Sequence, residues 1–162
     1  MGCNPCTSNP STEAHAEEVR DAAQALGRNL VVLSSRRATD FAPAFETLRA
    51  ERAGALVVQS DPFFDSQRNA LIALALRHAV PAIYHIREFP LAGGLVSYGP
   101  SLVDSYEQLG VIAGRVLKGE RPADLPVTRP TKFELVINLT AAKALAITVP
   151  LTLQAQADEA IE

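Results

Sequence analysis

The chain has 162 residues, a formal charge of −3 from 15 basic and 18 acidic side chains, 48% hydrophobic and 20% charged content. That size suits one domain with a real core, and the composition excludes wholesale disorder. With no basic block there is no basis for nucleic-acid binding, and no apolar run reaches the roughly 18–20 residues of a membrane span.

In chain order, MGCNPCTSNPS lacks the charged and apolar regions of a secretory signal. The chain as given therefore fits a cytoplasmic protein or a piece of a precursor, and residues 1–8 read as a disordered or non-native leader. Cys3 and Cys6 form a CxxC pair, but only two residues precede it and no strand does, as a redox motif requires. His15, His78 and His85 share no metal-ligand spacing, and neither a metal nor a cofactor is expected. A helix is expected from about residue 12, with Ala16, Val19, Ala23 and Leu26 on one face and Gly27 as its stop.

Leu30–Leu33 reads as a buried strand. Thr39 is the expected cap of a second helix carrying Phe41, Phe45 and Leu48 on one side. Ala55–Val58 is the next buried strand. A helix over about 66–78 buries Leu71, Leu74 and Ala75, with Ile72 and Leu76 widening that face. Strands follow at 82–86 and 95–98, then a helix over about 101–118 striped with Leu102, Tyr106, Leu109, Ala113 and Val116. The connector GERPADLPVTRPT carries three prolines and reads as an extended crossing. Phe133, Leu135, Ile137 and Leu139 alternate as a strand, and Thr140 is the expected cap of a short helix over 141–147.

Strands separated by helices imply right-handed crossovers, hence an α/β fold: a three-layer, mainly parallel, flavodoxin-like sheet with helices on both faces. Ligands bind beyond the carboxyl ends of such strands. That rule puts Ser34-Ser35-Arg36, Ser60–Phe64 and His85–Glu88 on one rim. The first strand of the pattern is missing from the reading, since nothing before residue 12 looks like one.

On that rim Asp61 is either a partner for a ligand ammonium or the start of the next helix. Phe63 and Phe64 are pocket walls or core. Arg87 is a bidentate carboxylate clamp or half of a surface ion pair. Tyr84 points to the core with its hydroxyl at the rim, and Gly93-Gly94 supplies a turn. No nucleophile elbow, HExxH or phosphate-cradling motif occurs, so the chain is not expected to be an enzyme. An acid–base pair of Asp61 and Glu88 is the remaining catalytic alternative, and a stand-alone flavodoxin-like sensory or interaction module is another.

The stretches ALVVQSDPFFDSQRNALIALALRHAVPAIYHIREFPLAGGLVSYGPSL, LKGERPADLPVTRPTKFELVINLTAAKALAITVP and ADEAIE resemble the solute-binding components of ABC importers, in the group that includes tryptophan-binding lipoproteins. The resemblance covers residues 9–162 and only the C-terminal half of such a protein. It implies one lobe of a type I periplasmic binding protein, with 99–131 crossing to the other lobe. It also implies a non-catalytic receptor for a small organic, amino-acid-like solute, an ABC permease as partner, and a periplasmic or lipoprotein location. Carried over by position, Asn9, Ser11, Asp61, Phe63, Tyr84, Arg87, Glu88, Gly93 and Tyr98 are the ligand-binding candidates. The flanking Pro62-Phe63-Phe64 departs from members that bind amino acids. With the first lobe absent from the pattern, weak binding and homo-oligomerisation through helix 101–118 are expected.

Overall fold

In the computed structural model, the described residues are Gly2, Cys3 and 11–162, with side chains from Ala16 onward. One seven-stranded sheet runs in the order β2-β1-β3-β4-β5-β6-β7. Its strands are β1 (Gly2–Cys3), β2 (Val32–Leu33), β3 (Leu56–Val58), β4 (Ala82–Tyr84), β5 (Val96–Pro100), β6 (Phe133–Asn138) and β7 (Glu159–Ile161). The first five are mutually parallel, β6 runs antiparallel to β5, and β7 is parallel to β6. The mainly parallel α/β sheet is thus the observed architecture.

The missing first strand is a correction. Gly2–Cys3 pairs with Val32–Leu33 on one side and Val57–Val58 on the other. Two residues carry no periodicity, so only the ladder on both flanks reveals them as a strand. The rest of the expected leader, and Cys6, lie outside the described residues.

The helices are α1 (Ser11–Ala25), α2 (Phe41–Ala50), α3 (Pro62–Ser66), α4 (Arg68–Arg77), α5 (Glu88–Leu91), α6 (Leu102–Leu117), α7 (Leu139–Ala144) and α8 (Leu151–Gln154). α2 is preceded by a 3₁₀ turn, Ala38–Asp40, and its entry is held by Asp40 rather than Thr39. Asp40 Oδ2 accepts from the backbone N–H groups of Arg36 and Arg37, both at 2.9 Å. Those two donors hold the Asp40 carboxyl below the usual aspartate range.

The expected helix 66–78 is α4, Arg68–Arg77, and a separate short helix, α3, precedes it. Pro62 begins α3 at a position where its missing N–H costs nothing. Gln67 then breaks the run, and its N–H is shared between Phe63 O and Phe64 O at 3.1 Å each. Leu71, Ile72 and Ala75 are buried on α4, whereas Leu76 is 37% exposed. On α1, Ala16 is buried, but Val19 and Leu26 of the expected face are 38% and 76% exposed. The cap of α7 is Asn138, not Thr140: its side chain accepts from Ala141 N at 2.7 Å and donates to Pro90 O at 2.9 Å.

The core lies under α2, α4 and α5, where Phe41, Phe45, Leu48, Phe64, Leu71, Tyr84 and Phe89 form one apolar cluster with Leu56 and Val58 of β3 and Ala82 of β4. Phe41, Phe63 and Phe64 meet with ring centroids 5.5–6.0 Å apart. Fully burying each such ring contributes roughly 1.5–3 kcal/mol, which is reason enough for Phe64 to be there without any ligand.

α6 is different. It is a 16-residue helix with a Ser101 cap and a strong apolar side, yet it has no buried residue. Tyr106, Leu109 and Val111 are all more than half exposed. Between α6 and β6 the connector is exposed except at the half-buried Leu125 and contains one 3₁₀ turn, Pro122–Asp124. Among the described residues no helix is long and apolar enough to cross a membrane.

Candidate functional site

The parallel strands β2, β1, β3, β4 and β5 all end at one edge, and the antiparallel β6 begins there. The strand order reverses at β1, because β2 lies on one side of it and β3 on the other. Ligands of doubly wound sheets bind beside such a reversal, beyond the carboxyl ends. Asp61 follows β3 at that point.

Asp61 is 7% exposed and caps α3, with Oδ1 accepting from Phe63 N at 2.8 Å. An extended residue with an oxygen two bonds from its backbone is the right shape to satisfy a free N–H of the first turn. The helix-starting reading of Asp61 therefore holds, and no cation pairs with its carboxylate among the described residues. Phe63 is partly buried and packs against the core.

Tyr84 is 2% exposed and stacks on Phe89, centroids 4.3 Å apart. Burial pushes its phenol well above the ordinary value, so it stays protonated. Gly93 adopts φ +102°, the left-handed turn expected of it. Its neighbour Gly94 has no room for a side chain, because a Cβ there would lie 2.8 Å from Tyr84 Cε2 and 3.0 Å from Phe89 O.

Arg87 is held rather than free. It donates to Glu134 at 3.4 Å on β6 and to Glu159 on β7, while Lys132 adds a second cation 3.5 Å from Glu134. The ion-pair reading of Arg87 is realised, with partners 47 and 72 residues away instead of the adjacent Glu88. Glu88 opens α5 and leaves Oε2 buried with no hydrogen-bond partner. Tyr98 is 58% exposed and stacks on Phe133, centroids 5.9 Å apart, where β5 leaves for α6 and β6 returns. Ser11 is the first residue of α1, and Asn9 lies outside the described residues.

The structure thus brings Asp61, Phe63, Arg87 and Glu88 to one edge, with Tyr84 beneath and Tyr98 at the exit to α6. It also shows what the sequence reading passed over. His85 Nε2 stands 3.1 Å from Asp65 Oδ1, linking the end of β4 to α3. Burial holds the Asp65 carboxyl above its ordinary range, against the pull of His85 and Arg68. The signal was faint: one titratable residue just past β4 and another inside the short helix that follows β3. Among the described residues no three His, Cys, Asp or Glu side chains group as a metal site.

The model of one protein family, described as ABC transporter substrate binding protein, matches residues 1–161. No curated protein matches the chain. Three solved structures share its fold. A Streptococcus pneumoniae ABC domain in complex with L-Trp has a TM-score of 0.87 and 24% identity over 99% of this chain and 54% of its own. A conserved domain protein of Vibrio cholerae has a TM-score of 0.84 at 24% identity, over 98% of this chain and 53% of its own. A ligand-free, open substrate-binding protein with adhesive properties from Clostridium difficile has 0.69 at 19%, over 99% and 53%. The chain spans about half the length of each of these structures. The family is one of solute binders and not of enzymes, and this chain belongs to it: it is a member of the ABC transporter substrate binding protein family.

Proposed function

We propose that this chain forms one wall of the solute cleft of an ABC-type importer's binding protein. The observation that carries the reading is the strand-end edge at the topological reversal, where Asp61, Phe63 and the 87–94 segment converge beside a helix that buries none of its own residues. The solute is a small organic molecule of amino-acid-like kind, delivered to a membrane permease from the periplasm or from a lipoprotein anchor. Asp61 supports that class, since it stands at the reversal and, among the described residues, no cation pairs with its carboxylate. Arg87 supports the wall by holding β4, β6 and β7 together, and it reaches a solute carboxylate only by leaving Glu134 or Glu159.

A half-cleft binds weakly. A micromolar site corresponds to about −8 kcal/mol, and a wall supplying half of that leaves binding in the millimolar range. A thermal-shift screen of amino acids and related solutes tests the reading, because binding to the folded state raises the melting temperature. Shifts only above about 1 mM, reduced in Asp61→Asn, are expected; equal shifts in both proteins would remove Asp61 from the site.

The exposed stripe of α6 gives the second part of the proposal. Leu109 and Tyr106 are 56% and 70% exposed, and water contact over such a patch favours a partner. Through that stripe the helix pairs with a second copy, either directly or by exchange through the 119–131 connector. Light scattering should show concentration-dependent association that Leu109→Glu abolishes. A monomer at millimolar concentration would refute it.

A further inference from the structure

The Asp65–His85 contact has no part in the reading above, and its details point to a regulatory role at the same rim. Asp65 lies in α3, the helix that Asp61 starts, and His85 lies immediately after β4, two residues before Arg87. Their side chains meet at 3.1 Å and are 36% and 17% exposed. The contact is close but poorly aligned, since Asp65 Oδ1 is buried without a proper donor and His85 Nδ1 is buried without any partner. The His85 segment has nowhere to retreat. A Cβ on Gly99 would fall 1.9 Å from His85 O, so β5 presses directly on that backbone. Phe89 closes another side, its ring 5.9 Å from the imidazole.

On an ionised carboxylate the buried Oδ1 has no well-aligned donor to offset its desolvation, although the side chain as a whole is 36% exposed. The neighbouring charges do not settle the matter in its favour. Arg68 of α4 and His85 attract it, Asp61 of its own helix repels it, and Arg87 is turned away onto Glu134 and Glu159. Desolvation is the largest influence, so the closed arrangement binds a proton more readily than an open, hydrated one. By linkage, whichever state binds more protons gains as pH falls.

We propose that the Asp65–His85 contact is a proton-operated clasp between the α3 and β4 segments of the rim, closed when Asp65 takes up a proton and loosened when it loses it. If the rim is a solute wall, as proposed above, solute affinity then rises in mild acid. The clasp itself is testable without any solute, so its failure and the failure of that reading are separable.

The test is hydrogen exchange by mass spectrometry on the whole chain, corrected for the intrinsic pH dependence of amide exchange. Peptides spanning 61–67 and 83–88 are compared at pH 7 and pH 5. Protection of both segments should rise together in mild acid by roughly threefold, a modest factor because the pair is partly solvated. Asp65→Asn, which cannot ionise, should be protected at both pH values and show no pH response. His85→Gln should leave both segments less protected at both. Unchanged or falling wild-type protection on acidification overturns the proposal, as does an undiminished response in Asp65→Asn. So does a His85→Gln effect confined to 83–88.

Discussion

Gly99 sits where β5 passes the end of β4, and replacing it with alanine is the sharpest perturbation the packing offers. A Cβ there would lie 1.9 Å from His85 O, 2.9 Å from its carbonyl carbon and 3.4 Å from its Cα. Non-bonded heavy atoms rest at about 3.5–4.0 Å, so the overlap exceeds 1 Å. All three neighbours are backbone, which cannot swing aside as a side chain can. β4 and β5 must separate next to the Tyr84–Ser97 pair, or β5 must tilt against the Gly99–Glu134 pair on its other flank. Overpacking usually costs about 1–3 kcal/mol, and a rigid backbone clash belongs at the upper end. For a domain of this size each kcal/mol moves the midpoint by roughly 2–4 °C, so Gly99→Ala should melt about 6–12 °C lower. Gly110→Ala on α6 is the control: a Cβ there meets nothing within 4 Å. Alanine in a helix interior should stabilise by up to about 1 kcal/mol. Thermal and urea unfolding followed by circular dichroism read both variants. A Gly99→Ala loss below about 0.5 kcal/mol would refute the reasoning, since it would mean the His85 backbone yields freely.

Asn138→Ala removes the cap of α7 and the buried hydrogen bond to Pro90 O together, and urea unfolding should show a loss of about 2 kcal/mol. Arg87→Ala leaves Glu134, whose side chain is 10% exposed, with Lys132 alone. A loss of about 1–3 kcal/mol is expected, with hydrogen exchange accelerated first in β7; uniform acceleration across the sheet would contradict the anchoring role. Tyr84 keeps its proton above the unfolded phenol value of 10.0. The folded state therefore holds the extra proton, and stability should fall as pH rises above about 10. Tyr84→Phe should flatten that decline; an identical alkaline profile would show that Tyr84 does not cause it.

How far the sequence reading reached follows from which forces act locally. Runs such as Leu56-Val57-Val58 announce parallel strands by composition alone, although Val57 is 39% exposed and the strand is buried on one face only, and α6 announces itself by its 3.6-residue stripe. β7 does not, because Glu159-Ala160-Ile161 is a strand only by virtue of pairing with β6. α5 is a single turn, too short to show a period, and its Pro90 stands in the first turn, where a missing N–H is harmless. Asn138 displaced Thr140 as the cap of α7 because either oxygen is chemically suited and only the chain's path selects one, whereas Asp40 stands at the start of α2 but spends its carboxylate on the preceding turn. At the site, residue types and strand ends were legible, whereas the Arg87 partners and the Asp65–His85 contact were not. Both depend on elements far apart in sequence meeting at one edge.

The central claim is that the carboxyl edge of the sheet is half of a solute cleft. An NMR titration of the chain with L-tryptophan and other amino acids, into the tens of millimolar, tests it most directly. Shift changes should cluster at Asp61–Phe64 and Arg87–Gly94 and saturate only in the millimolar range. Submicromolar binding by the monomer, or changes confined to the opposite edge of the sheet, would contradict the account.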